Sequence, residues 1–312
     1  MKTLLKHKSS RSIFLISIGL ILLVILIIRF FVLPNFEPIV PDSGIIPRDP
    51  KWLTIVSRIF DSAFVSLTVT VCIGLFLFHI ELPDEEKKFE IIESFKINEL
   101  FEKERNQTEI WYFTGGLGRY TRTSTIPEIA KIAQRTNEHK SIKIQIIDPT
   151  DESICIKYAN FRRGLNSASK NNSIWNKEYV RHECTATVVS AIIYKCNYPL
   201  LDLSICLKNN FSTLRIDLSS KTAIITKEDP KEPALICREG SFLYRTYKEE
   251  ILQTFKEYKP INTSINFPYQ LQTLTTENVH DIINQLNLDS GLTVNDYEKI
   301  TEILRSTEKP YA

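Results

Sequence analysis

Little in this 312-residue chain suggests metal or nucleic-acid chemistry. Its six cysteines are scattered, with no C-x-x-C pair, and no two histidines stand at a spacing typical of metal ligands. We therefore expect buried, reduced thiols and neither a metal nor a bound cofactor. The net charge is only +2, with 24% charged residues, which excludes the strong positive charge of a typical nucleic-acid-binding domain.

Catalytic signatures are also scarce. The chain has five histidines, and His182, followed by Glu183, lies near the predicted start of a long helix. No G-x-S-x-G turn and no paired-carboxylate signature accompanies this pair, so a general base with an orienting partner is missing. The sequence therefore predicts a protein that is not an enzyme.

Two long hydrophobic runs are the strongest positive signal. The first, 12–33, contains a single charged residue, Arg29, and the second occupies 52–80, most strongly from residue 63 onward. At 1.5 Å per residue, each run covers the roughly 30 Å hydrocarbon core of a bilayer. The first run is too long for a secretory signal peptide, and no small-residue cleavage site follows it. We therefore predict a two-helix transmembrane hairpin.

The charges around the two runs predict their orientation. Residues 1–11 carry four lysines or arginines and no acid, whereas the loop at 34–51 has three acids against Arg48 and Lys51. By the positive-inside rule the N-terminus lies in the cytoplasm, and two crossings return the chain to that side. We thus expect a multi-pass protein with cytoplasmic termini and a short, proline-rich external loop.

Three charged residues, Arg29, Arg58 and Asp61, fall at similar depth near the outer ends of the two runs. Long side chains can extend to the membrane surface, and Arg58 and Asp61, three apart on one helix, can pair with each other. Alternatively, the three residues mark a polar seam for helix association or ion leakage in an oligomer. The sequence alone leaves both interpretations open.

Beyond the second run, the spacing of apolar residues predicts a connecting helix over 81–108, a cytoplasmic α/β domain over 109–260 and a small helical C-terminal element over 261–312. Continuous apolar strands alternate with helices in the first half of the domain. Such strands are typical of a parallel sheet covered on both faces. We therefore predict a mostly parallel sheet, followed by two short helices, the second opened by Thr293-x-x-Asp296.

A glycine-rich turn follows the first apolar strand of this domain. Backbone amides at such a turn can hold an anion at the carboxyl end of a parallel sheet, and nearby arginines add positive charge. The alternative is a tight turn that needs glycine for backbone reasons alone. An aspartate that ends the next strand lies beside the turn if the two strands are neighbours. The candidate ligand-binding residues are Gly115, Gly116, Gly118, Arg119, Arg122 and Asp148.

The late hairpin FSTLRIDLSSKTAIIT and the closing helix with Glu249 and Glu250 resemble one half of a phospholipase D-like fold. That family carries His-x-Lys, and an aspartate further on, in the same hairpin. Here the hairpin has Arg215, Asp217 and Lys221 but no histidine, so the nucleophile is missing. The resemblance implies a phosphate-binding relic. A membrane-tethered phosphoesterase is the enzymatic alternative.

The plan of the whole chain, a two-span hairpin fused to a cytosolic sensing domain, is similar to that of effectors of bacterial anti-phage systems, including the two-transmembrane effectors encoded beside retron reverse transcriptases. The resemblance implies an antiviral effector of the cell inner membrane that acts as a toxin in the infected cell. Its partners would be the lipid bilayer and a cytosolic protein or ribonucleoprotein regulator or a nucleotide signal, with a homo-oligomer as a further option. A membrane scaffold that recruits a cytosolic partner is the third alternative.

Overall fold

A computed structural model of the chain describes residues 8–32, 35, 51–79, 89–165, 174–229 and 231–306. The chain divides into two compact units, Met1–Asp84 and Glu85–Ala312. The predicted external loop at 34–51 and the first residues of the predicted connecting helix at 81–108 lie largely outside the described residues.

The described part of the N-terminal unit has two helices, α1 at Lys8–Ile27, which continues as a π-helix at Ile28–Val32, and α2 at Lys51–His79. Among the described residues, one helical segment is long and apolar enough to cross a membrane. This is Ile55–Ile73, with 19 residues, a mean hydropathy of 1.5 and none of its length buried. The apolar part of the first helix, Ile16–Val32, is shorter, and at 1.5 Å per residue it covers roughly 26 Å. The prediction of a two-helix transmembrane hairpin is therefore wrong.

The second unit is built on one eight-stranded sheet in the order β1-β7-β6-β5-β2-β3-β4-β8. Only β2, β3 and β4 run parallel to one another, whereas the five other pairings are antiparallel. The strands are β1 Phe89–Ile92, β2 Ile110–Thr114, β3 Lys140–Ile147, β4 Leu201–Lys208, β5 Leu214–Leu218, β6 Thr222–Lys227, β7 Ala234–Arg238 and β8 Lys259–Pro260.

The prediction of a mostly parallel sheet is wrong, because the strands in the second half of the sheet are joined by short connections and therefore run antiparallel. Strands β5, β6 and β7 form a meander, and a short turn such as that at Ser219 and Ser220 can join only antiparallel neighbours. The meander joins the parallel half through an antiparallel pairing of β5 with β2. The unbroken apolar strands of the parallel half do lie in its interior, as two-sided burial requires.

Seven helices surround the sheet in the described part of this unit. Where the sequence predicts one connecting helix, the structure has β1, a 3-10 turn at Ser94–Lys96 and then α3. The two C-terminal helices predicted from the sequence are present, each with a capping box. The helices are α3 Ile97–Gln107, α4 Ile126–Thr136, α5 Glu152–Arg163, α6 Lys177–Asn197, α7 Phe242–Glu257, α8 Thr276–Gln285 and α9 Val294–Arg305.

Two hydrophobic clusters lie on opposite faces of the sheet. Successive residues of a strand point to opposite faces, and accordingly Trp111 belongs to the larger cluster and Tyr112 to the smaller one. Helix α7 covers the smaller cluster, and its Tyr244 hydroxyl contacts the carbonyl oxygens of Ser219 and Ser220, each at 2.9 Å. The larger cluster centres on α6, in which nearly every residue from Val180 to Ile193 is buried.

Candidate functional site

The predicted glycine turn follows β2 and remains paired with β3. Gly115 donates its backbone N–H to the Gln145 carbonyl at 3.1 Å. A Cβ at position 116 would lie 2.3 Å from the hydroxyl oxygen of Tyr158, and Gly118 has φ +69°. Close packing and left-handed backbone thus account for these glycines without a ligand.

The arginines of this turn are bound to helix α6. Arg122 is buried and its Nη2 lies 2.6 Å from Glu183 Oε2, while its Nη1 donates to the Glu183 carbonyl at 3.0 Å and to Thr187 Oγ1 at 3.2 Å. Arg119 Nε lies 3.4 Å from Glu183 Oε1. The positive charge of Arg119 and Arg122, which the sequence analysis assigns to anion binding, is therefore partly neutralised by Glu183. Arg122 also links the turn to α6.

Asp148 directly follows β3, which is the parallel neighbour of β2. Its Oδ1 accepts hydrogen bonds from the backbone N–H and the hydroxyl of Thr150, at 2.8 and 2.6 Å, and Oδ2 lies 3.7 Å from Lys259 Nζ. In the N-terminal unit, Arg58 and Asp61 have exposed side chains on α2. The side chain of Arg29 lies outside what the structure describes.

The structure draws attention to Lys208, which the sequence analysis did not single out. Lys208 ends β4 and is only 3% exposed. Its ammonium has one hydrogen bond, to Thr114 Oγ1 at 3.2 Å, and no carboxylate of a described residue lies within 4.0 Å of it. Burial lowers its pKa to about 8, although Glu228 acts in the opposite direction. A buried lysine without a carboxylate partner is unusual and marks a candidate site.

Arg162 on α5 and Glu228, which directly follows β6, form a buried ion pair. Nη1 of Arg162 lies 3.0 Å from Glu228 Oε2 and donates to the Glu228 carbonyl at 2.6 Å. The guanidinium carbon lies 4.4 Å from the centre of the Trp175 ring, a cation–π contact. The Nε of Arg162 is buried and has no hydrogen-bond partner among the residues that the structure describes. One donor of this side chain is thus left for another acceptor.

Arg215 lies at the start of β5, beside the glycine turn. Its Nε donates to Thr226 Oγ1 at 3.0 Å and lies 3.6 Å from Oδ2 of Asp217. Asp217 is completely buried, and burial raises its pKa to about 6, while Arg215 acts to lower it. A methyl group at Gly115 would come within 3.2 Å of the Arg215 side chain, so this arginine reaches the turn itself.

We call Thr114, Arg162, Lys208, Arg215 and Glu228 the carboxyl-end cluster, because Thr114 and Lys208 end parallel strands. Three cavities of about 10, 100 and 310 Å³ have Glu228 in their walls, and Arg215 lines two of them. The smallest also touches Arg119, Arg162 and Trp175 and has room for about one water.

The described residues offer no group of three or more His, Cys, Asp or Glu side chains that could hold a metal ion. Cationic donors in excess of carboxylates can instead hold an anion.

His182, the only catalytic candidate named from the sequence, contacts the C-terminal helices. Its Nε2 lies 2.7 Å from Oδ1 of Asp296 on α9. Burial acts to raise the pKa of Asp296, but hydrogen bonds from Thr293 and His182 outweigh it and lower the pKa to about 2. This pair therefore holds α9 against α6.

No protein-family model matches the chain, and no curated protein matches it in sequence. Among solved structures the chain is similar to TrmBL2, an archaeal chromatin protein whose structure is described as showing a novel mode of DNA binding. The identity is 10%, the match covers 67% of this chain and 66% of that one, and the TM-score is 0.33. A likeness at this TM-score carries no argument about fold or function.

Proposed function

We propose that the Glu85–Ala312 unit binds a phosphate-bearing ligand at the carboxyl-end cluster. The observation that carries this proposal is the buried ammonium of Lys208, which among the described residues has one hydroxyl partner and no carboxylate within 4.0 Å. An uncompensated buried charge is costly, and an anion placed beside it would remove that cost. The chain therefore keeps an unfavourable group where a ligand of opposite charge would make it favourable.

The surrounding groups suit a phosphate better than a carboxylate. Arginine binds planar or tetrahedral oxyanions through several parallel hydrogen bonds, and lysine supplies a point charge, a combination common at phosphate sites. The unpaired Nε of Arg162 supplies one donor. Because the smallest cavity is about 10 Å³, a phosphate entering there would displace Glu228 from Arg162. Ligand binding would thus break one ion pair and form another.

We further propose that the chain is a membrane-attached sensor and effector of antiviral defence. The 19-residue apolar segment Ile55–Ile73 supports the attachment, and the bilayer would be the target of the effect. A nucleotide or a ribonucleoprotein would supply the phosphate. The phosphoesterase alternative gains no support, because His182 is bonded to Asp296 and no histidine lines the cavities around Glu228 in the described part of the chain.

Thermal unfolding of the Glu85–Ala312 unit with inorganic phosphate and with nucleoside mono-, di- and triphosphates tests the binding site. A ligand at one hundred times its Kd stabilises the folded unit by about 2.7 kcal/mol. Lys208→Met should abolish this ligand-dependent rise in Tm. Lys140→Met is the matched control, because Lys140 is equally buried but is bonded to Glu138 at 2.8 Å. The absence of any phosphate-dependent stabilisation of the wild type, or its persistence in Lys208→Met, rejects the site.

The proposed effect on the membrane needs a separate experiment. Induced expression in bacteria should depolarise the cells, as measured with a potential-sensitive dye, and deletion of residues 55–73 should prevent it. Lys208→Met should reduce depolarisation only when the activating ligand is present. Equal toxicity of the chain without residues 55–73 would show that the apolar helix is not the part that acts.

A further inference from the structure

The two edges of the sheet differ in what they offer to another strand. Strand β8 has two residues, Lys259 and Pro260, and proline lacks the N–H that a neighbouring strand would need. Strand β1 pairs along its whole length with β7 on one side. No described strand pairs with its other side. Strand β1 is therefore the edge of this sheet that can accept a strand.

Two of the four side chains of β1 are both apolar and exposed. Phe89 is 51% and Ile91 74% exposed, and both lie on the face of the sheet that carries Cys237 and Leu235, their partners in β7. That face belongs to the smaller hydrophobic cluster beneath α7, which reaches Cys237. The apolar surface thus continues past the cover of α7 to the open edge. Large exposed apolar residues on an open edge strand are typical of an interaction surface.

A strand fits this surface better than lipid does. The outer N–H and C=O groups of an edge strand need hydrogen-bond partners, and a bilayer core supplies none. A second strand satisfies them and covers Phe89 and Ile91 in the same step. Since Pro260 weakens the other edge, β1 of one chain has no good partner in β8 of the next. Among the strands that the structure describes, the partner that remains is β1 of a second copy.

We propose that two chains associate through antiparallel pairing of β1 with its counterpart, which joins the two sheets into one. A two-fold axis at Ile91 sets this side chain against its own copy, with Phe89 as the diagonal neighbour on the same face. The register centred on Glu90 would instead oppose two glutamates, which is unfavourable. Glu90 keeps its 3.0 Å ion pair with Arg238 of its own chain. The interface is isologous, so association stops at a dimer.

Disulfide cross-linking of the full chain in detergent micelles tests the interface and its register. Of the six cysteines, Cys72 is exposed, Cys196 is partly exposed and the other four are buried, so Cys72→Ser provides the background. In that background Ile91→Cys should form a covalent dimer on mild oxidation, because Cβ atoms opposite each other in an antiparallel pair are about 4.5–5.5 Å apart. Val294→Cys, on α9, is the matched control, since Val294 is also 74% exposed. It should stay monomeric under the same conditions.

Light scattering provides the second measurement. The wild type should have the protein mass of two chains. Ile91→Lys, which sets two like charges against each other, should halve that mass, whereas Ile91→Val should leave it unchanged. Far-UV circular dichroism should show the same secondary structure for all three, because the side chain at 91 is exposed within one chain and lies outside its core, whereas the melting temperature of Ile91→Lys should be lower, since it lacks the stabilisation by association. A single-chain mass for the wild type, a dimer that survives Ile91→Lys, or equal cross-linking at 294 overturns the proposal. A spin label at position 91 that senses lipid-dissolved oxygen would assign the patch to the bilayer, which also overturns it. None of these outcomes depends on phosphate binding.

Discussion

Replacing Lys208 by methionine should stabilise the Glu85–Ala312 unit, although it removes a hydrogen bond. Burial lowers the pKa of Lys208 from 10.5 to about 8, and at about 1.4 kcal/mol per tenfold change in proton affinity this fall corresponds to roughly 3 kcal/mol. The bond to Thr114 Oγ1 offsets about 1 kcal/mol of the gain when it is lost. Methionine has a similar length and no charge. We therefore expect about 2 kcal/mol of added stability at pH 7, or roughly 5 °C in Tm.

Because the pKa of Lys208 is lower in the folded than in the unfolded chain, the stability difference between wild type and variant should depend on pH. Below about pH 8 both the folded and the unfolded chain carry the proton on Lys208, so the cost of burying the charge is fully present. Between about pH 8 and 10.5 the unfolded chain binds more protons than the folded one, and wild-type stability rises relative to the variant. Above 10.5 neither state is charged at this site and the advantage of methionine disappears.

Urea unfolding of the Glu85–Ala312 unit, followed by circular dichroism at intervals from pH 7 to 10, measures the difference directly. The Lys140→Met variant serves as the control, because its ammonium is 2.8 Å from an exposed glutamate, and exposed partners contribute about 1 kcal/mol or less. A Lys208→Met variant that is less stable than the wild type at pH 7, or whose advantage does not change with pH, would refute the reasoning. Lys208 would then be compensated by a partner.

Three further substitutions, one of them with a matched control, test the framework around the site. Glu183→Ala leaves Arg122 buried without its carboxylate and should cost about 3–5 kcal/mol in urea unfolding. Gly118→Ala combines a φ of +69° with a Cβ 2.9 Å from a neighbouring methyl group and should cost roughly 2–4 kcal/mol, whereas Gly240→Ala, with φ +81° and open space, should cost about 1–2 kcal/mol. Asp296→Asn should lower stability at pH 7, and because the pKa of this carboxyl is lowered from 3.8 to about 2, its acid-unfolding curve should converge with that of the wild type as pH falls from about 4 to 2.

The fold could be predicted where the signal is local. The apolar run of β3 and the Thr293 capping box of α9 depend on neighbouring residues, and both elements are present. The direction of the sheet could not be predicted in the same way. It depends on β5 lying beside β2, a pairing of Asp217 with Phe113 across a hundred residues of sequence. The composition of residues 12–33 predicts a membrane span. The apolar part of the helix, Ile16–Val32, is too short to count as one.

The candidate site shows the same limit. The sequence shows the three glycines of the turn, but the side chains that pack against Gly116 and Gly118, Tyr158 and Thr187, come from other helices. The charge of Arg122 is neutralised by Glu183, a residue distant in sequence. In the sequence, nothing distinguishes Lys208 from any other lysine at the end of a strand. Only the tertiary structure places it in the interior, where no carboxylate of a described residue lies within 4.0 Å of its ammonium.

Helix α9, near the end of the chain, packs on α6 in the middle of the domain. Ile300 and Leu304 of this helix belong to the same hydrophobic cluster as Trp111 of β2. Contacts between residues so distant in sequence form only after a long loop has closed, and folding slows as the share of such contacts rises. Until α9 docks, the outer side of α6 stays uncovered, and an intermediate with exposed apolar surface is prone to aggregate. The refolding yield of the Glu85–Ala312 unit should therefore fall as the protein concentration rises.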